Sequence, residues 1–334
     1  MRFQQWIKDQ DVVILDGSMS RLLEERGLEI NHRLWTALAL IDQPEAVYQV
    51  HKQYFDAGAN VAITASYQAT VKSFADVGYS EEQAIDFIKH SVTLAQRAKQ
   101  DSKGDQAKWL AGSIGPYGAY LSDGSEYTGA YQLSSPDMKT FHESRIKTLI
   151  ASGVDVLAIE TIPRLDELRV ILDIVSAINF PVWVSVSLKD TAHLANGDNL
   201  ADFQQLVEQD QNVIAYGINC VSPQLVVPVI ETLSVAATKP LVAYPNSGAI
   251  FDAVSKTWSE EISVEQVFST DAKCWHQKGA KLIGGCCCST AEDIARLART
   301  FGQVKKYERT VSELGAVFYY RTKKGCDGES HVIL

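Results

Sequence analysis

The sequence predicts an α/β chain folded as a single (β/α)8 TIM barrel with a short C-terminal appendage. Eight short runs rich in Val, Ile, Leu and Ala recur, bounded by Gly, Asp, Asn or Pro, as expected of parallel strands buried on both faces. Stretches with helical apolar spacing separate them. The alternation uses about 290 residues without an evident linker, which suits one closed barrel better than two open sheets. A doubly wound sheet is the runner-up, but DGSMS at 16–20 lacks the GxGxxG spacing expected after its first strand.

The elements follow in order. DVVILDGS (11–18) reads as the first strand, and PEAVYQVHKQYFDAGA (44–59) as a helix with Val47, Val50, Tyr54 and Phe55 near one face. NVAITASY (60–67) is the second strand, followed by a helix at 81–100 and the third strand, KWLAGSIGPYG (108–118). A helix at 138–153 leads into VDVLAIETIP (154–163), and VWVSVSLKD (182–190), VIAYGINC (213–220), PLVAYPNSG (240–248) and AKLIGGCCC (280–288) complete the strands. TAEDIARLART (290–300) is the eighth helix, so the barrel domain is expected over 1–303 and an appendage over 304–334.

Composition removes several classes of function. Lys+Arg of 31 against Asp+Glu of 41 gives a net charge of -10, so no summed positive field holds a phosphate backbone, and nucleic acid is not an expected partner. With 46% hydrophobic and 22% charged residues, the chain has the mixture of a globular protein with a sizeable core. MRFQQWIKDQDVV at the start lacks the apolar stretch and cleavage site of a secretory signal. No later segment has 18 uncharged apolar residues, so the expectation is a cytoplasmic protein with no membrane partner. Six cysteines are too sparse for a disulfide framework and point instead to thiols or metal ligands.

In such barrels chemistry sits where the strands end. Cys220 ends the sixth strand and the run Cys286-Cys287-Cys288 ends the eighth, so their side chains reach one mouth. They are either ligands to one soft metal ion or small buried hydrophobes. Gly284 and Gly285 are expected to let the chain turn tightly there. Asp16 closes the first strand and Glu160 the fourth, and a carboxylate at either place binds a substrate ammonium or caps a loop. Trp35, Tyr67, Tyr117, Tyr120 and Tyr127 lie in or near early βα loops, as packing residues or as faces for a cation such as a sulfonium. Lys189 closes the fifth strand, where an amine either stays solvated or forms a Schiff base, as in an aldolase.

Taken together, DGSMSRLLEERG, LWTALAL, ITASYQAT, GSIGPYGAYLSDGSEYTG, ETIP, GINC, YPNSG, DAVSKTW and KLIGGCC closely resemble the homocysteine S-methyltransferase family. The resemblance is greatest to its S-methylmethionine-dependent branch and runs from about residue 11 to about residue 301. It implies a barrel that binds one Zn2+ through Cys220, Cys286 and Cys287, the catalytic ion for methyl transfer from a sulfonium donor to the homocysteine thiol. It further implies that Asp16 and Glu160 grip the homocysteine amino group. Trp35 and Tyr67 are the best candidates for the aromatic wall of the donor. Cys288 departs from the family pattern, and the segment after residue 303 has no counterpart in it. Betaine or S-adenosylmethionine as donor, and selenohomocysteine or selenocysteine as acceptor, are the alternatives within the same chemistry.

Overall fold

In the computed structural model of the chain, residues 2–29, 32–247 and 267–302 are described, with two-residue strands at 251–252, 257–258, 323–324 and 330–331. Eight parallel strands form the barrel: β1 (Val13–Ile14), β2 (Val61–Ile63), β3 (Trp109–Ile114), β4 (Val156–Ile162), β5 (Val182–Val186), β6 (Val213–Asn219), β7 (Leu241–Tyr244) and β8 (Ala280–Ile283). Each pairs with its neighbours in chain order from β2 to β8, and β8 returns to β1. The last seam, β1 to β2, is the single parallel bridge Leu15↔Val61. Asn60 reinforces it: its N–H donates to the Ile14 carbonyl at 2.7 Å, and its Oδ1 accepts from the Ile14 N–H at 2.9 Å. Most strands are shorter than the apolar runs, but β4 continues past Glu160 to Ile162 and β6 runs to the residue before Cys220.

Strand alternation sorts the core into two layers. Val13, Leu15, Val61, Ala111, Val156, Ala158, Trp183, Ala215, Val242, Tyr244 and Leu282 fill the barrel interior. The intervening Ile14, Ala62, Leu110, Leu157, Ile159, Val184, Ala243 and Ile283 pack outward under the helices. The helix Phe3–Asp9, which periodicity did not reveal, covers the end where the strands begin. Its Phe3 and Trp6 rings stand 5.9 Å apart and each lies 5.6 Å from Trp109. That end is closed by aromatic packing, so chemistry is left to the opposite mouth.

The outer helices start where local hydrogen bonding favours it. Ser80 caps Glu81–Asp101: its Oγ accepts from the Gln83 N–H at 3.2 Å, and the Gln83 side chain accepts from the Ser80 N–H at 2.9 Å. Thr290 and Asp293 make the same reciprocal box for Ala291–Thr300. Among the described residues no helix is long and apolar enough to cross a membrane. Apart from the strand pair Lys323–Lys324 and Ser330–His331, the expected appendage, including Cys326, lies outside the described residues, as does most of DAVSKTW.

One buried group ties this packing to pH. His51, in the helix Pro44–Asp56, is fully buried, neither ring nitrogen has a hydrogen-bond partner, and burial pushes its pKa down to about 4. Unfolded histidine titrates near 6.5. The stability that depends on neutral His51 is therefore complete above about pH 6.5 and is lost as pH falls toward 4, by roughly 3 kcal/mol in all. His51→Leu should flatten that loss in urea unfolding measured at pH 7 and pH 5. Equal acid sensitivity in both proteins would assign the effect to other groups.

Candidate active site at the barrel mouth

The two-residue alternation that fills the core with apolar side chains continues upward into polar ones. Ser113 stands above Ala111, Glu160 above Ala158, Ser185 above Trp183 and Tyr244 above Val242. Glu160 accepts hydrogen bonds from Ser113 Oγ and, at 3.1 Å, from the Tyr244 hydroxyl, which in turn lies 2.6 Å from Ser185 Oγ. Burial pushes Glu160 up to about 7 against the pull of these two bonds, and the charge of Cys220 adds to the rise. Asp16, just beyond β1, is buried and accepts from the Ile63 N–H at 2.8 Å. Burial holds its carboxyl well above the usual range; the Ile63 bond opposes this and the charge of Glu160 adds to it. Two buried carboxyls within each other's field make this part of the mouth acidic and costly to ionise.

The backbone beside Glu160 is strained. Thr161 has φ 59°, a left-handed conformation that β-branched residues rarely adopt. Asn219 holds it there, accepting from the Thr161 N–H at 2.7 Å and donating to Thr161 Oγ1 at 2.7 Å. Cys220, next in the chain, also turns left-handed at φ 51° while its N–H donates to the Tyr244 carbonyl at 3.1 Å. Asn219 thus couples the carboxylate strand to the cysteine strand.

The sulphurs of Cys220, Cys286 and Cys287 all lie within 4.8 Å of one another, with Cys220 and Cys287 at 3.4 Å, and the thiols are free. Thiolates at about 2.3 Å from a tetrahedral ion stand roughly 3.8 Å apart, so the triangle fits one metal ion. The chain around it is pinned by Cys286 N–H to the Pro245 carbonyl at 2.8 Å and Ser247 N–H to the Cys287 carbonyl at 3.1 Å. Hydrogen bonds from Cys286 and Cys287 draw the Cys220 thiol well down, and the interaction with Cys220 pushes those two well up. The cluster by itself favours a single thiolate; a soft cation would let all three ionise.

Two details of the eighth strand differ from expectation. Gly284 and Gly285 do not take left-handed backbone; the turn is made by Cys288 at φ 64°. The glycines are needed for close approach, since a Cβ at Gly284 would sit 2.6 Å from Leu15 Cβ, and one at Gly285 would strike Ser289. Cys288 is buried in the same cluster, but its sulphur is not one of the three that converge.

Trp35 and Tyr67 form an edge-to-face corner with ring centroids 6.3 Å apart. Tyr67 is hydrogen-bonded to Thr161 and stands in the fields of Glu126, Cys220 and Glu160. Gly115 makes room for its ring, because a Cβ there would come within 2.6 Å of Tyr67 Cδ2. Arg145 fixes its backbone, donating to the carbonyls of Tyr67 at 2.6 Å and Gly115 at 2.7 Å. Arg145 also donates to His142, and His142 pairs with Glu167 at 2.8 Å, all three fully or almost fully buried. Tyr117 and Tyr120 instead pack with Phe141, at 5.0 and 5.6 Å. Lys189 lies past β5 in a turn, where its N–H donates to the His193 carbonyl at 3.1 Å.

Sequence reading had no role for Ser113, Tyr244, Asn219, Arg145, His142, Glu167 or Glu126. Strand parity could have found Ser113 and Tyr244. His142 and Arg145, at helical spacing from Met138, Ile146 and Leu149, are polar residues in an apolar stripe, which signals a buried network.

The fold and site define a barrel enzyme that gathers three thiols, as a metal site would, beside two buried carboxyls. Residues 13–301 match the sequence profile of the homocysteine S-methyltransferase family, and the chain belongs to that family of methyltransferases. It is 42% identical over 297 residues to homocysteine S-methyltransferase YbgG of Bacillus subtilis (strain 168), covering 86% of this chain and 93% of the relative. With homocysteine S-methyltransferase of Escherichia coli (strain K12) it shares 42% identity over 295 residues, 86% of this chain and 94% of that one. The crystal structure of the homocysteine methyltransferase MmuM from Escherichia coli in its metallated form superposes with TM-score 0.80 at 38% identity, covering 88% of this chain and 98% of the other. Family membership leaves Lys189 without a Schiff-base part to play.

Proposed function

We propose that the enzyme transfers a methyl group from S-methylmethionine to the thiol of homocysteine in the cytoplasm, with Zn2+ held by Cys220, Cys286 and Cys287. The observation that carries this reading is the convergence of three free thiols at the mouth where Asp16 and Glu160 lie buried. A new bond joins the homocysteine sulphur to the methyl carbon while the sulfonium–methyl bond breaks. The thiol proton is released and two molecules of methionine result. When bound, zinc would supply the positive charge that keeps an incoming thiol ionised at neutral pH.

A free thiol of pKa near 8.5 is about 3% ionised at pH 7, so full ionisation gains at most roughly 30-fold. The lowered basicity gives part of that back. Orientation therefore has to supply more, on the order of 7–11 kcal/mol in favourable cases. In this reading Asp16 and Glu160 fix the amino end of homocysteine while the cysteine cluster fixes its sulphur. The Trp35–Tyr67 corner holds the sulfonium weakly, at about 0.5–2 kcal/mol. Weak holding is appropriate because the donor's charge vanishes during transfer, and tight ground-state binding would slow it.

Purified, zinc-loaded protein given homocysteine and each donor in turn should form methionine with the highest kcat/KM from S-methylmethionine. S-Adenosylmethionine should be weaker because its adenosyl group needs room in the early loops, and methyltetrahydrofolate should be inactive. Faster turnover with betaine would overturn the donor assignment and leave the thiol chemistry standing.

A further inference from the structure

We propose that Glu126 binds the α-ammonium group of the methyl donor. This builds on the donor reading above. Glu126 lies in the turn Ser125–Tyr127 of the loop beyond β3, and only 8% of it is exposed. Its Oε2 is fully buried and has no hydrogen-bond partner. The turn itself is firmly built: the Glu126 carbonyl accepts from Ser187 Oγ at 2.7 Å, and the loop packs so closely that a Cβ on Gly118 would sit 2.6 Å from the Glu126 nitrogen.

The turn stands directly against the cysteine cluster. The hydroxyl of Tyr127 lies 3.3 Å from Cys220 Sγ, and Tyr67 stands in the fields of both Glu126 and Glu160. The Glu126 carboxyl takes a hydrogen bond from its own backbone N–H, but leaving the other oxygen buried without a partner is costly, and such groups are uncommon unless a ligand completes them. Burial pushes Glu126 up to about 7 against the pull of its own backbone N–H, and the charged groups that act on it, Cys220 and Asp123, only add negative potential. What the position lacks is a cation.

The two substrates offer three cationic groups. The acceptor's ammonium is accounted for by Asp16 and Glu160. The donor's sulfonium is the wrong partner for a carboxylate, because its charge disappears as the methyl group leaves and the pairing would stabilise the ground state over the transition state. The donor's ammonium keeps its charge throughout, so a carboxylate there anchors the molecule at no cost to the chemical step. An ammonium also supplies an N–H donor for the unpaired Oε2. Glu126 thereby selects an amino-acid sulfonium over one without the amino group.

The experiment compares wild type and Glu126→Gln with two donors, S-methylmethionine and its deamino analogue dimethylsulfoniobutyrate, at saturating homocysteine. Zinc content and thermal unfolding are measured on both proteins, and Glu126→Asp serves as a second variant that keeps the charge. The expected result is a loss of roughly 10- to 150-fold in kcat/KM for S-methylmethionine in Glu126→Gln, the range of hydrogen bonds to charged groups. The deamino donor should lose nothing, Glu126→Asp should recover part of the activity, and the KM for homocysteine should hold. Equal losses with both donors, or none with either, would overturn the role of Glu126. Failure of the donor reading itself shows separately, as absence of turnover with S-methylmethionine in the wild type.

Discussion

If the proposed zinc site is right, replacing Cys220, Cys286 or Cys287 singly by serine is expected to lower zinc content and reduce turnover on the order of a thousandfold or more. Each sulphur lies within 4.8 Å of the other two, so each substitution removes one of the three thiols proposed as ligands. Loss of the ion would forfeit thiol ionisation, worth at most roughly 30-fold, together with the fixing of the acceptor sulphur, the larger share, and every 1.36 kcal/mol is tenfold in rate. Cys288→Ser is the internal control: its sulphur is not one of the converging three, so zinc and activity should stay near wild type. Metal analysis and thiolate-to-metal absorption read the site without relying on turnover. Full zinc and undiminished rate in any of the first three would remove that residue from the site, and loss of zinc from Cys288→Ser with retention in Cys286→Ser would shift the ligand register.

Glu160→Gln is expected to lower kcat/KM for homocysteine by roughly 10- to 150-fold, the scale of a hydrogen bond to a charged group. The KM of the donor should change little. Glu160 titrates at about 7 in the folded protein, and only its ionised form pairs with an ammonium. Wild-type kcat/KM for homocysteine should therefore fall as pH drops through about 7, and Glu160→Gln should lack that limb. The stability effect runs the other way. The folded pKa is raised above an unfolded value near 4.5, so ionising this buried group costs stability as pH rises from 4.5 through 7, up to about 3 kcal/mol. Glu160→Gln should accordingly unfold at a higher temperature than wild type at pH 8. An equal kinetic loss with a thiol that lacks the amino group would place Glu160 elsewhere in the reaction.

Much of the fold is legible because a parallel strand buried on both faces must be apolar over most of its length. Runs such as VDVLAIETIP and VIAYGINC stand out on that account, and Glu160, near the end of the first, and Cys220, at the end of the second, fall at the mouth. The helix Phe3–Asp9 was not legible, since FQQWIKD is short and half polar and its apolar side chains acquire a purpose only against Trp109. The buried Arg145–His142–Glu167 network was equally hidden: each residue looks like a solvated charge until two helices and two loop carbonyls surround it. Glu126 sits in a polar loop, DGSEY, where nothing in the local pattern marks a carboxyl for burial.

By itself the sequence determined the order of elements and the chemistry placed at each strand end: thiols after the sixth and eighth, carboxyls at the first and fourth. Those follow from periodicity and side-chain type, which are local properties of the chain. Closure of the barrel decided the rest. It brought Cys220 to within 3.4 Å of Cys287, 67 residues away, set Trp35 edge-on to Tyr67, and left Cys288 outside the trio of sulphurs. The physical reason is that distances of this kind depend on strand register, on left-handed turns at Thr161, Cys220 and Cys288, and on hydrogen bonds such as that between Asn219 and Thr161. Register and these hydrogen bonds join residues far apart in the chain, and they hold the strained turns in place only when the sheet closes on itself.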